Sequence, residues 1–559
     1  ALVLLGLGQA YQQSNQHAAA EEMYRKAQEI YEKAQGKDND YFQIVAARVS
    51  NFQKEGTFTE ADQLLTILKE TPEAKTTYAL SLTNTAALYQ AQGEYPKSEA
   101  LYLEALTYFQ GDDKAALLQQ MTILQNLGVM YSDKGDQEQA LSKLQDARTR
   151  AERLFGLYDQ AYLSVLNKLG VALTRAGRTD EATQVYAQIN EISKKLLSPP
   201  TRQLFMAELG EAALAIRLGQ YTKADSLYGN MITTYHPVPG QYDNYYLTIV
   251  NSEAASLQAQ GKLAASREMM SRVVATTRSL HGRNSLNYGQ ALENIALLRM
   301  RLGDNSPVKA ELDSALTIYK NTRGENSIVY AQGLMSMGRY LQVTGDYTAA
   351  EPYLKNGRDI LKRTAGEESA LYATSLNALA LLYQTLSNYS DAGLLLADAR
   401  TIFERRYGVW NAEYSTATQN LAALYQLEGE LQKAEPLLRQ AIDIDRKVSG
   451  ENNPQFAILL QNLATLYQKL GQRDDAEKTL NRALELTRRT LGNNHPSYAT
   501  TLANLAALYQ DKNDFVQAEK TWLESVELRK KVLGENHPDY ARSLFGLAGV
   551  YHAQGQWEK

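Results

Sequence analysis

The stretch LAALYQ at residues 421–426 recurs as LATLYQ at residues 463–468 and again as LAALYQ at residues 505–510, with a spacing of 42 residues each time. A step of 42 residues taken in both directions from Tyr509 stays in register over the rest of this region. Its anchor positions are Tyr551, Tyr467, Tyr425, Tyr383, Leu341, Arg299, Leu257, Ala215, Leu173, Tyr131 and Tyr89. Such regular self-similarity is the signature of a repeat protein.

Two more units, anchored on Phe52 and Tyr11, precede the regular series, which gives about 14 units with the last one cut short at Lys559. A chain of 559 residues is too long for one hydrophobic core, whereas in a repeat array each unit packs only on its neighbours. We expect two divergent repeats in residues 1–78, less regular repeats with Pro-rich loops in residues 79–245, and regular repeats in residues 246–559. The Pro-rich loops fall at residues 198–200 and 236–240.

Each unit reads as a helix, a turn and a second helix. Leu502, Leu505 and Tyr509 recur at helical spacing, residues 513–514 interrupt the pattern, and a second helix carries a small residue, Ala518, nine positions after the anchor. The sequence therefore predicts an all-α chain of stacked helical hairpins.

These residues resemble the tetratricopeptide repeat, in which a large apolar residue, Leu-Ala and Tyr lie on helix A and small residues allow helix B to pack closely. The loops GNNHPSY at residues 492–498 and GENHPDY at residues 534–540 resemble those of the 42-residue repeats of kinesin light chains, and of bacterial arrays that precede CHAT peptidase domains. The resemblance implies a right-handed α-solenoid whose concave side is lined by helices A. It also predicts that the eight residues beyond a standard repeat lengthen helix B and its loop.

The two histidines of these loops are interpreted as helix caps. Gly492 ends one helix, and Pro496 opens the next at a position where its missing N–H costs nothing. His495 and His537 lie on successive loops without carboxylates at ligand spacing, so no metal site is predicted.

Composition excludes several classes of protein. The chain has no cysteine, which removes thiol catalysis, zinc ribbons and disulfides. Its net charge of -5 and its lack of basic tracts argue against nucleic acid as a partner. The longest apolar run, residues 1–7, is too short to cross a membrane, and the compartment stays open.

The sequence contains no G-x-S-x-G, phosphate-loop or H-E-x-x-H motif, so no catalytic residue and no cofactor is predicted. Function is expected on the concave surface, where the partner is another protein or a peptide segment. Amides recur there at two positions, five residues before the anchor and directly after it. The candidate peptide-binding residues are Asn84, Asn126, Asn294, Asn420, Asn462, Asn504, Gln384, Gln426, Gln468 and Gln510.

A primary amide offers two donors and an acceptor, which suits pairing with a bare peptide backbone. The resemblance to kinesin light chains implies the same role for the asparagines. An alternative is that these amides bond only to neighbouring helices or to water.

Cations at helix A positions form a second candidate set, suited to an acidic segment. They are Lys168, Arg175, Arg217, Arg301 and Arg339. The alternative is ordinary solvated surface charge.

Three functions remain open from the sequence. The array is either a stand-alone scaffold, or the recognition arm of a CHAT-type peptidase whose catalytic residues lie beyond Lys559, or a filament component that self-associates. Because neither end carries a polar capping element, we expect the chain to be a segment of a longer protein.

Overall fold

The computed structural model describes the chain except for residues 14–15, 35, 56–57, 92–94, 135, 177, 197–201, 219, 236–242, 452 and 559. The side chains at positions 13, 53–55, 58–59, 91, 217 and 449 are also outside the description. Both predicted Pro-rich loops, at residues 198–200 and 236–240, therefore lie outside the described residues.

The described part of the chain is built of α-helices, with one short 3-10 helix at Pro72–Ala74 and no strand. The α-helices are α1 Leu2–Gln13, α2 His17–Ala34, α3 Asn39–Glu55, α4 Phe58–Glu70, α5 Lys75–Ala91, α6 Tyr95–Thr107, α7 Lys114–Lys134, α8 Gln137–Phe155, α9 Gln160–Arg175, α10 Thr179–Leu196, α11 Arg202–Arg217, α12 Tyr221–Tyr235, α13 Asn244–Ala259, α14 Leu263–His281, α15 Leu286–Arg301, α16 Val308–Arg323, α17 Ile328–Val343, α18 Tyr347–Ala365, α19 Ala370–Thr385, α20 Tyr389–Tyr407, α21 Ala412–Glu428, α22 Leu431–Ser449, α23 Pro454–Lys469, α24 Arg473–Leu491, α25 Pro496–Asp511, α26 Phe515–Leu533 and α27 Pro538–Ala553. Odd-numbered helices are helices A and even-numbered helices are helices B.

The predicted hairpin unit and its longer helix B are confirmed. In most of the regular repeats helix A has 16 residues, as in α25, and helix B has 19, as in α26, whereas α21 has 17 and α16 has 16. Helix B ends at a glycine with positive φ, such as Gly534 at 87°. Only glycine adopts this left-handed backbone readily, so the chain can reverse there at low cost.

Helix A begins at a side-chain cap, as predicted for the two histidines. The Nδ1 atom of His495 accepts a hydrogen bond from the Ser497 N–H at 3.0 Å, and His537 does the same for Asp539 at 3.1 Å. Other repeats use Asn or Ser at this position, with Asn453 accepting from the Gln455 N–H at 2.9 Å. The cap satisfies one of the N–H groups that a helix leaves unpaired.

The two helices of each unit pack closely where the sequence places a small residue. Ala518 and its equivalents one repeat apart, Ala392, Ala434 and Ala476, are completely buried. The anchor tyrosine packs beside them and donates its hydroxyl to a glutamate on the preceding helix B. Tyr131 donates to Glu99 at 2.8 Å and Tyr383 to Glu351 at 3.0 Å. Tyrosine suits this position because its ring packs in the apolar interior while its hydroxyl keeps a hydrogen-bond partner.

The chain divides into two compact units, Ala1–Ser198 and Pro199–Lys559, called unit 1 and unit 2 below. Each is a solenoid in which every helix packs on its neighbours in sequence. This division falls inside the range 79–245, and the three repeat groups inferred from sequence stay a prediction.

Candidate peptide-binding groove

Helices A of successive repeats are joined by hydrogen bonds between a residue and the one 43 positions later. In unit 2, Asn504 Nδ2 donates to Gln461 Oε1 at 3.1 Å and Ser336 Oγ donates to Glu293 Oε1 at 2.5 Å. In unit 1, Gln90 Nε2 donates to Asp133 Oδ2 at 2.9 Å. Some polar residues of helix A therefore serve to align neighbouring repeats.

The predicted asparagines separate into two groups. Asn504 is used in this internal alignment. The other five have half-buried or exposed side chains with no hydrogen-bond partner among the described residues. They are Asn84, Asn126, Asn294, Asn420 and Asn462. These five amides are available to a ligand.

The predicted glutamines are all half-buried. The Nε2 atom of Gln384 is buried and has no hydrogen-bond partner among the described residues. The side chains of Gln426, Gln468 and Gln510 likewise have none there, although the main-chain oxygen of Gln426 accepts from Lys469 Nζ at 3.1 Å. Among the described residues, the hydrogen-bonding capacity of these helix A side-chain amides is thus unused.

The two predicted cations of unit 1 are already engaged. Lys168 Nζ donates to Gln125 Oε1, and burial lowers the pKa of this lysine. Arg175 forms an ion pair with Asp133 at 2.8 Å and also donates to Ser132 Oγ at 3.2 Å. These contacts explain the presence of both cations without a ligand.

The two cations of unit 2 have different surroundings. Arg301 and Arg339 are exposed, and within the described residues neither forms an ion pair. Arg301 Nη1 donates a single hydrogen bond, to Gln258 Oε1 at 3.2 Å. The fifth predicted cation, Arg217, lies on α11, and its side chain is outside the described residues.

Arg301 and Arg339 both line one open cavity of about 540 Å³ between α13, α15 and α17. Asn251, Gln258 and Asn294 contribute amides to the same wall, while Leu297, Leu298 and Met270 supply an apolar floor. We call this the arginine cavity.

Asn251 is a residue of this wall that the sequence pattern does not single out. Asn251 lies six residues before its anchor, Leu257, one position away from the recurrent asparagine. Asn251 is therefore not part of the exact 42-residue pattern. Only the stacking of the helices shows that its side chain lines the same cavity as Asn294.

The described residues contain neither a membrane-spanning helix nor a cluster of metal-ligating side chains. No helix there is long and apolar enough to span a bilayer. No group of three or more His, Cys, Asp or Glu side chains is arranged there to hold a metal ion.

No curated protein sequence matches the chain significantly. Among solved structures, BtubC (BKLC) from P. vanneervenii is 22% identical, with 41% of this chain and 92% of that chain covered and a TM-score of 0.36. A Rap protein complexed with competence and sporulation factor is 14% identical, covering 66% and 98% with a TM-score of 0.45. The putative kinesin light chain repeats of Podosopora anserina are 22% identical, covering 36% and 95% with a TM-score of 0.31.

Family models for the tetratricopeptide repeat match most of the chain. One model matches residues 77–153, 119–195, 329–405, 413–485, 455–521 and 499–559, and a second matches residues 1–33. Together with the stacked helical hairpins, the buried alanines and the anchor tyrosines, these matches show that the chain belongs to the tetratricopeptide repeat family.

Proposed function

We propose that this repeat scaffold binds an extended, acidic segment of another protein, and that the arginine cavity of unit 2 is its anchoring site. The observation that carries the proposal is the pair of exposed guanidinium groups, Arg301 and Arg339, without an ion-pair partner among the described residues. In unit 1, by contrast, Arg175 is neutralised by Asp133.

The chemistry of the cavity suits this ligand. A guanidinium group binds a carboxylate through two parallel N–H donors. The amides of Asn251 and Asn294 can pair with the main chain of an extended segment, whatever its side chains are. The apolar floor accommodates the methylene groups of a glutamate or a neighbouring apolar residue. The proposal assigns binding alone, without a chemical step.

The experiment uses a fluorescein-labelled decapeptide of alternating Glu and Ala, with its Gln–Ala counterpart as the neutral reference. We expect fluorescence anisotropy to show binding of the acidic peptide and weaker binding of the neutral one. Replacement of both arginines, Arg301→Gln and Arg339→Gln, should weaken acidic-peptide binding by at least about tenfold, since a hydrogen bond to a charged group contributes about 1.5–3 kcal/mol.

The matched control removes two cations outside the cavity, Lys309→Gln and Arg323→Gln on α16, whose side chains are exposed. This variant has the same net charge as the cavity variant, so a purely long-range effect would weaken both equally. Equal loss in the two variants, or no preference of the native chain for the acidic peptide, contradicts the proposal.

A further inference from the structure

Unit 2 contains contacts between repeats that are far apart in sequence. In a stack of helical hairpins, the A–B turns lie along one edge of the stack and the loops from helix B to the next helix A lie along the other. A superhelix can bring these two edges together after one full turn. Contacts of this kind join the turns at Gly261 and Gly303 to the loops at His495 and His537.

The first contact lies at Gly261, whose φ is 71°. A Cβ atom built on Gly261 would lie 2.6 Å from Pro496 Cδ and 2.8 Å from His495 Cδ2. Both distances are below van der Waals contact, so the loop sits directly against the turn and leaves no room for a side chain.

The second contact repeats the first one repeat later. A Cβ atom on Gly303 would lie 3.1 Å from Pro538 Cδ. Beside it, His537 Nε2 lies 3.2 Å from the main-chain oxygen of Arg301. Because His537 Nδ1 accepts from Asp539 N–H, the ring proton is on Nε2, which therefore donates to that oxygen.

Two more contacts lie along the same line of contacts, which we call the seam. The Tyr221 hydroxyl donates to the main-chain oxygen of Thr490 at 3.4 Å. Leu533, at the end of α26, packs on the core cluster that contains Val250 and Leu298. His537 and Arg301 are 236 residues apart, roughly five and a half repeats, which gives the length of one superhelical turn.

The contact is not a general property of the turns. Gly345, Gly429 and Gly471 occupy the same repeat position with φ values of 86°, 82° and 75°, and a Cβ atom on any of them would have nothing within 4 Å. The seam therefore belongs to particular repeats, and its two register-matched contacts keep the same 42-residue step on both edges.

We propose that these contacts form a clasp that joins the repeats around residues 221, 261 and 303 to those around residues 490, 496 and 538 across one superhelical turn, and that opening of the clasp controls sideways entry of a ligand into the groove. The clasp and the arginine cavity share a residue, since the main-chain oxygen that His537 contacts belongs to Arg301. The closure stands independently of the proposed function, whereas its effect on ligand entry rests on it.

The first test replaces both seam glycines, Gly261→Asn and Gly303→Asn. Asparagine is chosen because Asn513 already occupies this repeat position with a φ of 60°, so the backbone strain is small. The matched control is Gly429→Asn with Gly471→Asn, which introduces the same residue at the same φ in open space.

Small-angle X-ray scattering should give a larger radius of gyration for the seam variant than for the native chain and the control, with equal helical content by circular dichroism. Amide hydrogen exchange at His495, Ser497 and Tyr498 should accelerate in the seam variant alone. Equal radii and equal exchange in the two variants would overturn the clasp.

A second test does not depend on how the seam variant folds. The chain has no cysteine, so Lys262→Cys and Asn494→Cys, exposed neighbours of Gly261 and His495, are the sole sites for a short bis-maleimide. Closure predicts rapid intramolecular cross-linking in dilute solution. The control pair Gln472→Cys and Asn494→Cys, with one site beside the open turn at Gly471, should react far less. Equal yields for the two pairs overturn the closure.

Control of entry is tested with the cross-linked chain and the acidic decapeptide in two forms. One form has free ends, and the other sits in a long flexible linker between two folded domains too large to thread. Cross-linking should slow association of the doubly blocked form at least about tenfold and leave the free form unchanged. Equal slowing or no slowing overturns the gating while the closure stands, and failure of both forms to bind the uncrosslinked chain overturns the proposed function and its gate.

Discussion

His537 Nε2 lies 3.2 Å from the main-chain oxygen of Arg301, although 236 residues separate the two in sequence. One histidine thus performs two tasks, since its Nδ1 caps α27 while its Nε2 contacts a repeat from the preceding superhelical turn. The same loop residue at His495 caps α25 and packs on Gly261. In these two repeats, the histidine that caps helix A therefore also contacts a repeat one superhelical turn away.

The clasp should weaken as the pH falls. Burial, with a smaller contribution from the positive charge of Arg301, lowers the pKa of His495 from 6.5 to about 4. In the open state the imidazole reaches water and its pKa returns toward about 6.5, so the open state binds more protons between these values. The stability that the closed state gains from neutral His495 is therefore fully present above about pH 6.5 and falls progressively as the pH falls toward 4. Scattering measured at pH 7 and at pH 5 should show a larger radius of gyration at pH 5.

The control for the pH effect is His495→Asn. Asn453 caps the equivalent helix one repeat earlier, so asparagine keeps the N-cap and removes the titrating ring. This variant should show a much smaller change between pH 7 and pH 5. An identical change in both proteins would mean that groups other than His495 cause the expansion.

Two neighbouring asparagines should differ in their effect on stability. Asn504→Ala removes the donor to Gln461 Oε1, and Gln461 is 7% exposed, so its carbonyl loses a partner inside the structure. A buried unpaired polar group costs about 1–3 kcal/mol. Asn462→Ala, at the same repeat position, should change stability by less than about 0.5 kcal/mol because its side chain is unpaired among the described residues. Urea unfolding of both variants, followed by circular dichroism, tests this difference.

Ligand affinity, unlike stability, should depend on Asn420 and Asn462. Their side-chain amides have no hydrogen-bond partner among the described residues, and the proposed function places them in the groove. The double replacement by Ala should therefore weaken binding of the acidic decapeptide by a few fold with the unfolding midpoint unchanged. Fluorescence anisotropy of native and double-variant chains measures it. Unchanged affinity would show that these amides serve only contact with water.

Enlargement of the buried small residue of a hairpin should destabilise the fold. Ala518 is completely buried against Trp522 and the anchor side chains, so Ala518→Leu forces the two helices apart. Such overpacking costs about 1–3 kcal/mol. The control Lys520→Leu adds the same side chain at an exposed site of the same helix. Thermal unfolding should show a lower midpoint for Ala518→Leu only, and equal midpoints would show that the contact is looser than the structure implies.

Binding of the acidic peptide should weaken with added salt. The guanidinium groups of Arg301 and Arg339 are exposed, and at 0.15 M salt charges are screened beyond about 8 Å. The salt dependence should be shallower in the Arg301→Gln, Arg339→Gln variant and unchanged in the Lys309→Gln, Arg323→Gln control. Anisotropy titrations at several salt concentrations compare the three slopes.

The candidate site was predictable only in part. The recurrent amides at Asn420 and Gln426 follow from their fixed distance to the anchor tyrosine, because one residue position in a repeat always lies on the same helix face. Which cations are free did not follow, since Arg175 and Arg301 occupy the same position relative to their anchors, Leu173 and Arg299. Arg175 forms an ion pair with Asp133 on the neighbouring helix A, whereas Arg301 donates a hydrogen bond to the side-chain amide oxygen of Gln258.

The sequence by itself determined the repeat, the helical hairpin with its longer second helix, the histidine caps and the close packing at the alanines. Each of these depends on interactions within one repeat or between adjacent ones, which the 42-residue period displays directly. Only the tertiary structure decided that Gly261 meets Pro496 and that Arg301 and Arg339 share a cavity. The small rotation between successive repeats accumulates over more than five of them, and no local pattern of residues records that sum.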